Sequence, residues 1–346
     1  MSNHEQNKDV QQFAETFELW ERLHDKIFLI TGATGLIGSV MIRCLLELNR
    51  QRCLGIRIVA VVRNLDKARQ MFEDVSGEID FRQMELADIR QETIGKNVDY
   101  IIHCAAPTSS KYFVEHAVET FDTIIEGTSV LLRYAKNSPV KSFVYLSSLE
   151  VYGSIYDDTV PVTEDVQGYL DPMSVRSSYP MAKRAAENLC CLYAHEYGVP
   201  VKVSRLTQTT GAGIAKDDNR VIAQFTRLAA EGKDIVLHTT GEAARPYCYT
   251  TDAISGILYI LLNGVDGEAY NVANEDTYIS ARGMADYLKK YFNPNIAVQI
   301  DLNSNLGYAP SSMLKLSVVK LRQLGWSPKI DLHELFNRLT KYINNG

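Results

Sequence analysis

Tyr179-Pro180-Met181-Ala182-Lys183 sets a phenol and an ammonium four positions apart, and Ser147 and Ser148 end an apolar run upstream. Side chains four apart on a helix share a face, so the two groups can meet. A free phenol has a pKa of about 10, and an adjacent cation stabilises the phenolate, bringing Tyr179 toward the range of a general base. Ser148 can hydrogen-bond the oxygen from which Tyr179 takes its proton. Taken alone, a Tyr and a Lys at this spacing are also what an ordinary surface helix carries.

A second group of residues gives that pair its context. Lys26 to Thr31 leads straight into Thr31-Gly32-Ala33-Thr34-Gly35-Leu36-Ile37-Gly38, and an apolar-periodic stretch follows. Glycines in such a turn let the backbone and a helix N-terminus approach a pyrophosphate, whose charge is stabilised by free N–H groups and the helix dipole. Gly32, Gly35, Leu36, Ile37 and Gly38 are therefore the expected dinucleotide-binding residues. At the end of the second strand-like run, where an acid would bond the 2′-hydroxyl of NAD, the chain has Arg63-Asn64. A guanidinium can pair with a 2′-phosphate, so Arg63 leans toward NADP and leaves NAD open.

These side chains need a scaffold of alternating strands and helices. Lys26 to Thr31, Ile56 to Val62, Ile79 to Met84, Tyr100 to Cys104, Ser142 to Ser147 and Val201 to Leu206 read as strands, with helices such as Leu36 to Leu48 and Phe121 to Lys136 between them. The alternation implies an α/β fold, a doubly wound parallel sheet of Rossmann type. After about residue 207 the rhythm shifts to helices over Arg220 to Glu231, Asp252 to Asn263, Ala281 to Tyr291, Met313 to Leu324 and Leu332 to Asn344. The chain divides into a tail with a short helix (1–25), a dinucleotide-binding domain (26–206) and a mainly substrate-binding α/β lobe (207–346), with a soft boundary and room for segments to interleave. Phe13, Phe17, Leu19, Trp20 and Leu23 give the N-terminal helix its apolar face.

The 346 residues are 46% hydrophobic and 23% charged, the composition of a soluble globular protein. A formal net charge of -6 with no basic stripe argues against nucleic acid and anionic membrane as partners. Six Cys without paired metal spacing read as reduced thiols, with no disulfide and no metal site. The polar N-terminus is no signal peptide and no apolar run is long enough for a bilayer, so a cytoplasmic location is expected.

TGATGLIG at 31–38, HCAA at 103–106, SSLEVYG at 147–153, YPMAK at 179–183 and RPYCYTTDA at 245–253 together resemble the extended short-chain dehydrogenase/reductase family, the nucleoside-diphosphate-sugar epimerases and dehydratases. The resemblance spans about residues 26 to 330. It implies a nucleotide-sugar substrate and a catalytic set of Ser148, Tyr179 and Lys183, with Lys183 also holding the nicotinamide ribose. It implies that Glu85 and Leu86 line the adenine, that Ala105 and Ala106 border the cofactor, and that Arg245 contacts the substrate diphosphate. Thr108, Gln208 and Arg220 complete the expected substrate-binding set with Ser148 and Arg245. A homodimer is implied through the helices around Phe121 to Lys136 and Arg184 to Tyr197.

Several positions depart from the family pattern. Gln208 stands where Asn is usual, its amide one methylene further out, and Ile124 stands where Asn commonly opens a helix stretch. In Ser148-Leu149-Glu150, Leu149 replaces an acid that sugar dehydratases pair with a neighbouring Glu to eliminate water. Glu150 remains, either as a catalytic group or as a hydrogen-bond partner beside Tyr152. Conversion beginning with hydride abstraction at C4 and ending in epimerisation or decarboxylation therefore ranks above 4,6-dehydration. The alternatives are an NADP-dependent reductase with net cofactor turnover and a non-catalytic nucleotide sensor, which the intact Ser148, Tyr179 and Lys183 oppose. His103 and His195 receive no catalytic role.

Overall fold

The β-branched runs become strands within one residue of their expected limits. The computed structural model describes residues 4–95, 97–302 and 312–345. Its first strands are β1 (Ile27–Thr31), β2 (Arg57–Val62), β3 (Ile79–Gln83), β4 (Tyr100–His103), β5 (Ser142–Ser148) and β6 (Val201–Leu206). Then come β7 (Gln208–Thr210), β8 (Ile235–Leu237), β9 (Ala244–Tyr249), β10 (Ala269–Val272), β11 (Asn274–Ser280) and β12 (Val298–Ile300). The helices are α1 (His4–Thr16), α2 (Leu36–Arg52), α3 (Leu65–Met71), α4 (Gln91–Ile94), α5 (Ser110–Glu115) and α6 (Ala117–Lys136). They continue with α7 (Ser178–Tyr197), α8 (Val221–Ala230), α9 (Thr250–Asn263), α10 (Ala281–Tyr291), α11 (Val319–Arg322) and α12 (Leu332–Asn345).

A seven-stranded sheet pairs in the order β10-β6-β5-β4-β1-β2-β3, every neighbour parallel. Helical crossovers cover both faces, which is why β1 is apolar and buried along its whole length. Phe28 and Ile30 share one core layer with α2 and α9 residues such as Leu45 and Ile257, whereas Ile27 and Leu29 share the other with Leu131 of α6 and Ala186 of α7. Strand order reverses between β1 and β4, the place where a doubly wound sheet opens a ligand crevice at its carboxyl ends. A smaller sheet, β11-β9-β7, and the pair β12-β8 belong to the C-terminal half, around a third core that includes Phe225, Tyr247, Leu288 and Phe336.

The two halves interleave: β10 pairs with β6 in the main sheet, and α9 packs against β5 and β6. The N-terminal helix is displaced from its expected place, since α1 spans the polar residues 4–16 and Trp20–Leu23 is only a short 3-10 turn. Polar residues can be helical here because their inward groups are paired. Asp9 is buried against the Tyr249 hydroxyl and accepts from Arg338 Nη1 at 2.8 Å, which pins α1 to β9 and α12. The expected helix over Met313 to Leu324 shrinks to α11, because Met313 and Leu316 are drawn into β-bridges with Ala244 and Val162. No helix among the described residues is long and apolar enough to cross a membrane.

Candidate active site

The turn after β1 has the shape that its glycines permit. Gly32 has φ +67°, and a Cβ there would lie 2.7 Å from the Ala105 nitrogen, so the β1 turn packs directly on the chain leaving β4. At Gly38 a Cβ would come within 2.4 Å of the Gly32 carbonyl oxygen. Helix α2 starts at Leu36 with no side-chain cap on its first N–H groups, and these include Ile37. A cradle that side chains would fill, and a helix start lacking a side-chain acceptor, fit a dinucleotide pyrophosphate. Ala105 and Ala106 lie half-buried beside the cradle, while Thr108 is exposed further along that loop.

Arg63 and Asn64 are exposed beyond β2, and the Asn64 side chain caps α3 by accepting from Lys67 N at 2.8 Å. Glu85 is exposed past β3, whereas Leu86 packs so closely on α6 that a Cβ at Gly127 would stand 2.6 Å from its Cδ1.

Ser148 ends β5, where its Oγ accepts from Glu150 N at 3.2 Å and caps the turn Leu149–Tyr152. Tyr179 and Lys183 lie in the first turns of α7, both buried. The Tyr179 hydroxyl is held well above its ordinary range: burial dominates and the Glu150 charge adds to it, while the Ser148 hydrogen bond and the Arg176 charge act the other way. Lys183 lies near this phenol, its Nζ 5.7 Å from the Tyr179 ring centre. Its ammonium donates to Leu146 O at 2.6 Å and lies 4.7 Å from the Tyr145 ring centre, with its pKa lowered to about 8 by burial, against the pull of Glu187. His103 binds Thr31 Oγ1 through Nδ1 at 2.7 Å, and burial, aided by Lys183, takes its pKa to about 3, so the ring is neutral.

Two neighbours of Tyr179 were missed in the sequence. Phe113 of α5 stacks on its ring at 4.2 Å with an interplanar angle of 7°, and Arg176 pairs with Glu150 at 3.0 Å. Arg176 stands three residues before Tyr179, so helical spacing could have flagged it; Phe113 comes from a distant segment and carried no signal.

The remaining expected substrate contacts lie on the smaller sheet and beside it. Gln208 opens β7 next to Tyr247 of β9, and its buried Oε1 has no partner among the described residues. Arg220 chelates Asp218 and donates to Thr209 O at 2.7 Å. Arg245 is half-buried on β9, and no ion pair ties it to Glu242 or to another carboxylate among the described residues. The six cysteines are free thiols.

A parallel sheet with a glycine cradle at its switch point and a Ser, Tyr and Lys set beside it defines a dinucleotide-dependent enzyme. Residues 28–273 match the NAD dependent epimerase/dehydratase family, and the chain belongs to that family, within the extended short-chain dehydrogenase/reductases. It is similar to UDP-glucuronic acid decarboxylase 3 of Arabidopsis thaliana, 29% identical over 310 residues that cover 88% of this chain and 85% of the relative. The fold superposes on UDP-glucose 4-epimerase of Thermotoga maritima with a TM-score of 0.76 at 23% identity, covering 92% of this chain and 98% of that one. It superposes equally, at 0.76 and 20% identity, on UDP-glucuronic acid 4-epimerase of Bacillus cereus solved with UDP-glucuronic acid and NAD, covering 92% and 99%.

Proposed function

We propose that the chain oxidises a nucleotide-activated sugar at C4 and that the favoured substrate is a uronic acid, converted by loss of its C6 carboxylate. The observation that supports this reading is that the Gly32 to Gly38 turn and Ser148 lie at the carboxyl edge of the parallel neighbours β1, β4 and β5, with Tyr179 and Lys183 in the first turns of α7 and Leu149 buried at the position where dehydration needs an acid. The relatives named UDP-glucuronic acid decarboxylase support the choice of sugar.

Tyr179 takes the C4 hydroxyl proton, Ser148 orients that oxygen, and Lys183 lends positive charge to the site and a donor for the nicotinamide ribose. Bound NAD would supply the acceptor for the hydride that leaves C4 and the donor that returns it to C4 after the carboxylate is lost. Gly32, Gly35, Leu36, Ile37, Gly38, Ala105 and Ala106 would hold it, with Glu85 and Leu86 along the adenine. The C4 ketone makes the C6 carboxylate a β-keto acid: the C5–C6 bond breaks, CO2 leaves, and its electron pair enters the C4–C5 enolate. A proton then returns to C5. Arg245, which has no carboxylate partner among the described residues, suits the substrate diphosphate, with Arg220, Gln208 and Thr108 as the further substrate contacts.

Product analysis tests the reading. Incubation of the NAD-loaded protein with UDP-glucuronic acid should yield a nucleotide sugar lighter by one CO2, and Tyr179→Phe should lower kcat by about 10²–10⁴-fold with NAD still bound. A C4 epimer of unchanged mass would redirect the reading to epimerisation, and full activity in Tyr179→Phe would end the catalytic assignment.

A further inference from the structure

Guanidinium groups near α7, β6 and β7 differ in how many of their donors are engaged. Arg184 donates to Val151 O at 2.6 Å and Gly168 O at 2.8 Å. Arg205 binds Glu187, the Tyr152 hydroxyl and Glu164 O, and Arg220 is taken up by Asp218 and Thr209. These three brace the structure. Arg176 touches one carboxylate, Glu150, through Nη2 at 3.0 Å, and no further hydrogen bond engages its side chain among the described residues. A guanidinium has five donors, so one edge of Arg176 is unused.

Its position gives that edge a meaning. Arg176 lies in the turn Val175–Ser177 that leads into α7, 5.4 Å from the ring centre of Phe113, which also stacks on the Tyr179 ring. The Arg176 and Glu150 side chains are 34% and 31% exposed, so a bound molecule can reach the pair. Arg176 packs over Phe113, which stacks on Tyr179, and the Glu150 backbone N–H donates to Ser148 Oγ, so the pair borders Tyr179 and Ser148.

We infer that Arg176 reads the C6 substituent of the sugar and selects a carboxylate there. The inference rests on C4 oxidation at Tyr179: C6 is borne by C5, the neighbour of C4, so a group on C6 lies beside the oxygen that Tyr179 and Ser148 hold. A second carboxylate next to Glu150 is repelled unless a cation serves both, and Arg176 can give each carboxylate one edge of its fork. A neutral hydroxymethyl group gains no such pairing.

Calorimetric titration of the NAD-loaded protein with UDP-glucuronic acid and with UDP-glucose tests this. The wild type should favour the acid. Arg176→Gln should weaken the acid by about tenfold or more and the neutral sugar by less than about twofold, with Arg176→Lys between them. Equal weakening of both sugars, an unchanged affinity for the acid, or a wild type without preference would each overturn the inference. Should Arg176→Gln fail to retain NAD, the Arg176→Lys ratio decides alone. Wild-type turnover of the acid combined with equal weakening in the variants removes only the role of Arg176. Absence of C4 oxidation with either sugar removes the proposed function along with it.

Discussion

His103 stands between Thr31 and the field of Lys183 as a neutral ring, and that state has a consequence for stability. A histidine with a pKa of about 6.5 in the unfolded chain and about 3 when folded binds more protons unfolded at every pH between those values. Its contribution is complete above pH 6.5 and is lost as pH falls toward 3, at up to about 1.4 kcal/mol per pH unit. Asp252, raised to about 6 by burial, has the opposite sign between its ordinary value and 6, so the two partly cancel. Urea titrations of the wild type and His103→Gln from pH 7 to 4 isolate the effect: the difference in unfolding free energy should shrink steadily as pH falls. A constant difference would mean that the ring takes up its proton as readily in the fold as in the unfolded chain. If the Arg63 guanidinium pairs with a 2′-phosphate, Arg63→Ala should weaken NADP by about tenfold and NAD little, whereas equal effects would make it a solvated residue at a strand end. Tyr179 and Lys183 could be found in the sequence because one helix sets their separation. The charges that tune the phenol, Glu150 and Arg176, could be read as residues but not as a pair, since the fold brings them together across the turn after β5 and the turn before α7.

Strand ends were legible because a doubly buried parallel strand leaves an unbroken apolar run that polar turn residues delimit. Helix α1 was not, for its inward face includes Glu5, Gln6 and Asp9, a pattern that reads as a solvated tail until Tyr249 and Arg338 are seen beneath it. Gln6 also reaches Ala212 O, so α1 touches the segment that follows β7 as well as β9 and α12. The helix thus bridges the seven-stranded sheet, through α2, and the C-terminal core, through α12. Asp9→Ala removes one member of a buried pair and leaves the Tyr249 hydroxyl proton without its acceptor, and should lower the unfolding free energy by about 1–3 kcal/mol. Denaturant unfolding at neutral pH checks it, and a change below about 0.5 kcal/mol would mean that α1 adds no stability through this contact.

At the scale of the whole molecule the two longest crossover helices on one face, α6 and α7, lie side by side and leave apolar groups outside. Val118 is 69% exposed and Leu192 49%, with Phe121 also uncovered, although the inner faces of both helices are fully used against Phe143, Tyr145 and Val201. Single exposed apolar residues need no explanation, but several on adjoining helices form a surface that a twofold axis could make self-complementary. Pairing α6 and α7 with their copies would give an isologous four-helix contact in which each half covers the other. Light scattering at micromolar protein should then return twice the chain mass of 38.9 kDa. The double substitution Val118→Glu with Leu192→Glu places like charges opposite one another across such an axis, and should yield a monomer that still retains NAD, because neither residue belongs to the cradle at Gly32 to Gly38. A monomeric wild type, or a variant that stays dimeric, would assign these side chains to an open surface of a solitary chain.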